Sequence, residues 1–168
     1  MYSLRVLTLN VRGIADPDDR RALLFELRRW KVDICCLQEV HATTSDQLQQ
    51  WSNEWLEPAS WNKYTAILFK PSFGTPMFDV LHGGRVLSSS FQYRGQTLRI
   101  ANIYMPASYS ERRVFLDDFT ADFDNLFSSF DFLVGDWNMV PDPLLDRVST
   151  ATSNTQTLTM WSHLAPCL

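Results

Sequence analysis

Apolar and polar positions fall along this chain in blocks whose period changes from one block to the next. Residues 4–10 form an apolar run, Val6-Leu7-Thr8-Leu9, that stops at Asn10, and this predicts a first strand. Asp16-Pro17 then opens a helix, with Asp16 as N-cap and Pro17 at the first helical position. Leu23, Leu24, Leu27 and Trp30 supply its apolar stripe; Arg20, Arg21, Arg28 and Arg29 fall opposite and read as a solvated face. Residues 32–37 are almost wholly apolar, as expected of a strand covered on both faces, with Cys35 and Cys36 pointing to opposite sides. Thr44-x-x-Gln47 is a capping box for a helix through Trp51 and Trp55. A third strand is predicted over 65–70, and a long hairpin over 84–93 and 96–104, turning at Arg94-Gly95. Ser108-x-x-Glu111 caps a helix with Val114, Phe115, Phe119, Phe123 and Leu126 on one face, and residues 131–134 return to a strand. Strands alternating with helices, but including hairpins, predict an α/β fold: a four-layer sandwich of two mixed sheets flanked by helices.

Three of the predicted strands end in the same way. The first delivers Asn10, the second Gln38-Glu39, and the last Gly135-Asp136-Trp137-Asn138. An ionised carboxylate buried without a partner costs on the order of several kcal/mol, so these groups belong at the open ends of their strands. Together they predict an oxygen-rich pocket for a hard cation such as Mg²⁺.

Composition narrows the partners. At 168 residues the chain is long enough for one domain with a substantial core, and 13% of it is aromatic. Its net charge of −4 argues against holding nucleic acid by bulk basic charge, but leaves room for a nuclease whose carboxylates are offset locally by metal. The three cysteines, Cys35, Cys36 and Cys167, give neither a disulfide framework nor zinc spacing, which points to a reducing compartment. No apolar run is long enough to span a membrane and no signal peptide is legible, so an intracellular site, nucleus or cytoplasm, is expected. Residues 149–159 are rich in Ser and Thr, and 149–168 read as a loosely defined tail.

Four segments recur together in one known family: Leu9-Asn10, Leu37-Gln38-Glu39, Asn102-Ile103-Tyr104-Met105-Pro106 and Gly135-Asp136-Trp137-Asn138. In this order, at strand ends and across nearly the whole chain, they resemble the endonuclease/exonuclease/phosphatase superfamily. Gln38-Glu39-Val40-His41, with Asp136-Trp137-Asn138-Met139-Val140 followed by Asp142-Pro143-Leu144-Leu145-Asp146-Arg147, is most similar to the endonuclease domain of non-LTR (LINE-type) retrotransposons. The resemblance implies a metal-dependent phosphodiester hydrolase that nicks DNA, or acts on RNA, within a larger polyprotein that includes a reverse transcriptase. It implies Mg²⁺ or Mn²⁺ held by Glu39, with Asn10 orienting that carboxylate or a metal-bound water. Asp136 would position the attacking water, Asn138 would hold the scissile phosphate or the nucleophile, and Tyr104 would donate its hydroxyl to a phosphate oxygen. Read without the family, Asn10 is also an ordinary loop start and Tyr104 a packed aromatic.

The chain departs from the family at its C-terminal end. A strand ending in Ser-Asp-His and an Arg-Ile-Asp-like segment are missing, and His163, which follows Ser162 with no intervening Asp, does not match. Residues 1–168 are therefore expected to hold the N-terminal two-thirds of such a domain, with the second sheet short of strands. Two further readings stay open: a catalytically dead retrotransposon remnant, and a phosphatase of smaller phosphorylated molecules.

Overall fold

The computed structural model describes residues 3–121 and 129–139. Among them lie eight strands and three α-helices, in two compact units: Met1–Tyr104 with Phe130–Asp136, and Met105–Ser129 with Trp137–Leu168.

The first unit holds both sheets. One has the order β1 (Val6–Asn10), β2 (Ile34–Gln38), β4 (Thr65–Phe69), β3 (Ala59–Trp61); the other runs β5 (Met77–Leu81), β6 (Val86–Tyr93), β7 (Gln96–Tyr104), β8 (Phe132–Asp136). Each is mixed. β1 and β2 are parallel while β2–β4 and β3–β4 are antiparallel; β5–β6 and β6–β7 are antiparallel while β7 and β8 are parallel. The α/β fold with two mixed four-stranded sheets is as the alternating pattern predicts. Two of the strands, β3 and β5, carry no sequence signal of their own and were not expected.

The pleat explains why β2 reads as a continuous apolar run. Ile34 and Cys36 face the other sheet, in a core with Ile67, Phe69, Leu87, Phe91 and Ile100. Cys35 and Leu37 face the helices, packing with Leu24 and Leu27 of α1 (Pro17–Arg29) and Trp51 and Trp55 of α2 (Ser45–Trp55). Burial raises both thiols, Cys35 to about 11, so neither is a thiolate at neutral pH. The first unit thus has a helix layer, a sheet and a second sheet; the remaining helix, α3 (Tyr109–Ala121), belongs to the second unit.

The expected caps form. Asp16 accepts from the N–H groups of Asp18 and Asp19, and Thr44 and Gln47 close a reciprocal capping box. In α3 the Ser108 hydroxyl accepts from the Glu111 N–H, and Phe115 stacks on Phe119; Phe123 and Leu126 lie outside the described residues. The hairpin turns at Arg94 and Gly95, both at positive φ (53° and 77°), the combination a two-residue connection needs.

The arginine face of α1 is not uniformly solvated. Arg20 is buried, bidentate to Glu54 of α2 at 2.7 and 2.9 Å, and stacked on Trp51. Its Nη1 donates to the carbonyls of Ile14 and Ala15, which anchors the loop after β1. Trp30, expected in the apolar stripe, is instead exposed, because it caps the C-terminus of α1 in an extended conformation. No helix among the described residues is long and apolar enough to cross a membrane.

Candidate active site

β1 and β2 run parallel and in register, so Asn10 pairs with Gln38 and Glu39 follows one residue beyond the sheet. At Glu39 the chain turns with φ of +56°, a conformation that costs a non-glycine residue free energy and persists only where neighbours enforce it. They do so here. The Glu39 carbonyl accepts from the Gly13 N–H at 2.7 Å, and Val40 N–H donates to the carbonyl of Tyr64. On the other sheet, Tyr104 and Asp136 are the last residues of parallel neighbours β7 and β8 and pair in register. The strand expected over 131–134 therefore continues through Asp136, which is a ladder residue rather than the start of a loop.

These strand ends converge. The Asn10 Nδ2 donates both to Glu39 Oε1 and to Asp136 Oδ2, each at 2.8 Å, so one amide joins carboxylates delivered by different sheets. Asn10 is itself held by the Arg12 N–H, which donates to its Oδ1 at 3.0 Å. The Tyr104 hydroxyl donates to Glu39 Oε1 at 3.3 Å. Burial, and then the Glu39 carboxylate, push the Tyr104 hydroxyl up, with Arg85 opposing, so it stays a proton donor at neutral pH. Glu39 Oε2 accepts no hydrogen bond from the described residues.

Behind the site lies a pair for which the motifs gave residues but no role. Gln38 and Asn102 are both buried, and Gln38 Nε2 donates to Asn102 Oδ1 at 2.7 Å across the two sheets. The Asn102 amide in turn donates to the carbonyls of Leu37 and Ala66. A polar residue inside the apolar run Ile100-Ala101-Asn102-Ile103 was the available signal. Asn102 precedes Tyr104 by two residues and Gln38 precedes Glu39 by one, so the tie fixes the sheets where both functional groups emerge.

Asn138 lies in the second unit. There, at φ of +46°, its Nδ2 donates to the Met105 carbonyl at 2.6 Å and its own carbonyl accepts from the Arg112 guanidinium. His41 is exposed, His82 lies in a short 3₁₀ turn (His82–Gly84), and Trp51, Trp55 and Trp61 are core. Asp142, Asp146 and His163 lie outside the described residues.

Among the described residues no three His, Cys, Asp or Glu side chains cluster as a metal cage. What they offer instead is two carboxylates and an amide, a set that suits Mg²⁺, which takes one or two carboxylates and keeps several waters.

A sequence profile of the Endonuclease/Exonuclease/phosphatase family matches residues 7–164. The transposon TX1 uncharacterized 149 kDa protein of Xenopus laevis is 28% identical over 149 residues, covering 83% of this chain. The chain spans only 11% of that protein's length. Among solved structures, an AP endonuclease from Archaeoglobus fulgidus superposes with a TM-score of 0.60 at 17% identity, over 84% of this chain and 60% of its own. Truncated Caenorhabditis elegans TDP2 gives 0.61 at 20% identity, over 86% and 66%. D. rerio TDP2 complexed with single strand DNA product gives 0.58 at 19% identity, over 83% and 62%. At these identities the structures establish the shared fold.

Proposed function

This chain belongs to the endonuclease/exonuclease/phosphatase family, and we propose that it is a divalent-metal-dependent phosphodiester hydrolase acting on DNA. The observation that carries the reading is the Asn10 bridge, which brings the carboxylates of Glu39 and Asp136 to one amide from two sheets. Two carboxylates brought to one amide form an oxygen-rich set of the kind a divalent cation shares.

Mg²⁺ or Mn²⁺ would be held by Glu39, whose Oε2 is uncommitted among the described residues. When bound, the ion neutralises charge developing on the phosphate oxygens. Asn10 turns its amide nitrogen, a donor, toward both carboxylates, so it orients Glu39 rather than ligating the ion itself. Asp136 orients the attacking water and takes its proton. The Tyr104 hydroxyl, protonated at neutral pH, donates to a non-bridging phosphate oxygen.

DNA as substrate is supported by the DNA complex of the D. rerio relative. A place in a larger transposon polyprotein is supported by the Xenopus laevis protein, most of which lies outside the matched region. The net charge of −4 favours a second reading, hydrolysis of a small phosphorylated substrate, which needs no basic track.

The test is relaxation of supercoiled plasmid by the purified chain in Mg²⁺, with EDTA and Asp136→Ala as controls. Nicking that both controls abolish is the expected result. Nicking that survives Asp136→Ala removes Asp136 from the site, and phosphate release from small esters without nicking selects the second reading.

A further inference from the structure

Arg85 immediately precedes β6, and its main chain is fixed opposite the end of β7: the Tyr104 N–H donates to its carbonyl at 2.8 Å. The guanidinium carbon lies 4.5 Å from the ring centre of Tyr64 and 5.4 Å from that of Tyr104. The two rings are themselves 5.9 Å apart and inclined by 36°. Nη1 points back to the Tyr104 carbonyl at 3.5 Å, and no carboxylate among the described residues pairs with the group. The Lys63 ammonium also lies over the Tyr64 ring, 4.9 Å from its centre, but the planar guanidinium of Arg85 reaches both rings and a carbonyl at once.

The consequence falls on Tyr104. Its hydroxyl reaches Glu39 at 3.3 Å, beyond the usual range for an O–H donor, so a small swing of the ring breaks the contact. Nothing on the hydroxyl end restrains that swing strongly. The restraint comes from the ring face and the carbonyl, where Arg85 sits.

We propose that Arg85 is a positioning residue: packed against the rings of both Tyr64 and Tyr104, it holds the Tyr104 ring with the hydroxyl aimed at Glu39 and at the substrate oxygen beside it. The chemical benefit rests on the hydrolase reading above; the positioning itself does not.

The test has two arms. In the first, the full chain carries ¹³C at the ζ-carbon of its five tyrosines, and Tyr104 is identified by the signal lost in Tyr104→Phe. Glu39→Gln moves the Tyr104 signal in the native background. In Arg85→Gln, and in Arg85→Lys, which keeps the charge without the plane, Glu39→Gln leaves it in place. A Glu39 effect that persists without Arg85 overturns the proposal. In the second arm, Arg85→Gln lowers kcat about tenfold with KM within about twofold, and costs nothing further in Tyr104→Phe. A cost carried in KM that survives in Tyr104→Phe means that Arg85 meets the substrate directly, and overturns it too. A native chain that cleaves nothing defeats the hydrolase reading and leaves the spectroscopic arm to decide on Arg85.

Discussion

Asn10 uses both protons of one amide to hold apart and yet join two carboxylates, Glu39 and Asp136. Asn10→Asp replaces those donors with a third carboxylate. The variant should lose about 2 kcal/mol of stability in EDTA, through repulsion and the lost bonds, and recover part of it in Mg²⁺. Thermal unfolding with and without the ion measures both effects; a melting temperature equal to the native one in EDTA would mean the bridge carries no energy. At this scale the sequence was most legible where an apolar run stopped at a polar group, as it does at Asn10, Glu39 and Asp136. It was least legible for Tyr64 and Arg85, which meet only because the loop before β4 and the residue before β6 come together in the folded first unit. Arg20 misled for a related reason: helical spacing places it among solvated arginines, and only α2 reveals its partner.

Elements constrain one another through single residues. An added Cβ at Gly135 would lie 1.9 Å from the Ile103 carbonyl oxygen, and φ there is +140°. The glycine allows close contact with β7, since Gly135 and Ile103 are ladder partners. Gly135→Ala should cost about 3 kcal/mol or more, read as a lower denaturation midpoint, and should reduce Asp136-dependent activity more than stability alone explains. Between α1 and α2, Arg20 lowers the Glu54 carboxyl below its ordinary value of 4.5, chiefly by hydrogen bonding. A depressed folded-state value contributes stability above the unfolded one and loses it as pH falls through the folded one. Native stability should therefore decline below about pH 4.5, and Glu54→Gln should flatten that limb. A pH–stability curve that is the same for both chains would show the pair to be energetically silent. Arg20→Ala, which leaves Glu54 with Gln50 alone and takes the donor from two loop carbonyls, should cost about 3 kcal/mol.

For the whole first unit, the decisive contact is Asn102, which bonds the two sheets through Gln38, Leu37 and Ala66. Asn102→Leu fills similar volume but takes the amide donor from the buried Leu37 and Ala66 carbonyls and one acceptor from Gln38, and should cost about 2–4 kcal/mol by denaturant titration. Hydrophobic pattern alone made the sheet count and the helix layer legible, because period 2 and period 3.6 say which face is covered. Strand order was not legible. The sequence β1-β2-β4-β3 depends on a three-residue strand, β3, too short to show a period, and β5 lies at an edge with Met77 and Val80 exposed, so it lacks the alternation of a covered strand.

The contact at Gly135 also turns one codon into a historical record. Every missense change from glycine adds at least the Cβ that β7 cannot admit, whatever base is altered. In a set of sister copies that drift without selection, this codon would decay as fast as its silent neighbours. Copies whose folded product is still needed would instead keep glycine there while accepting change on the exposed faces of the helices. The ratio of the two rates across genomic copies thus separates a working lineage from its relics without purifying any protein.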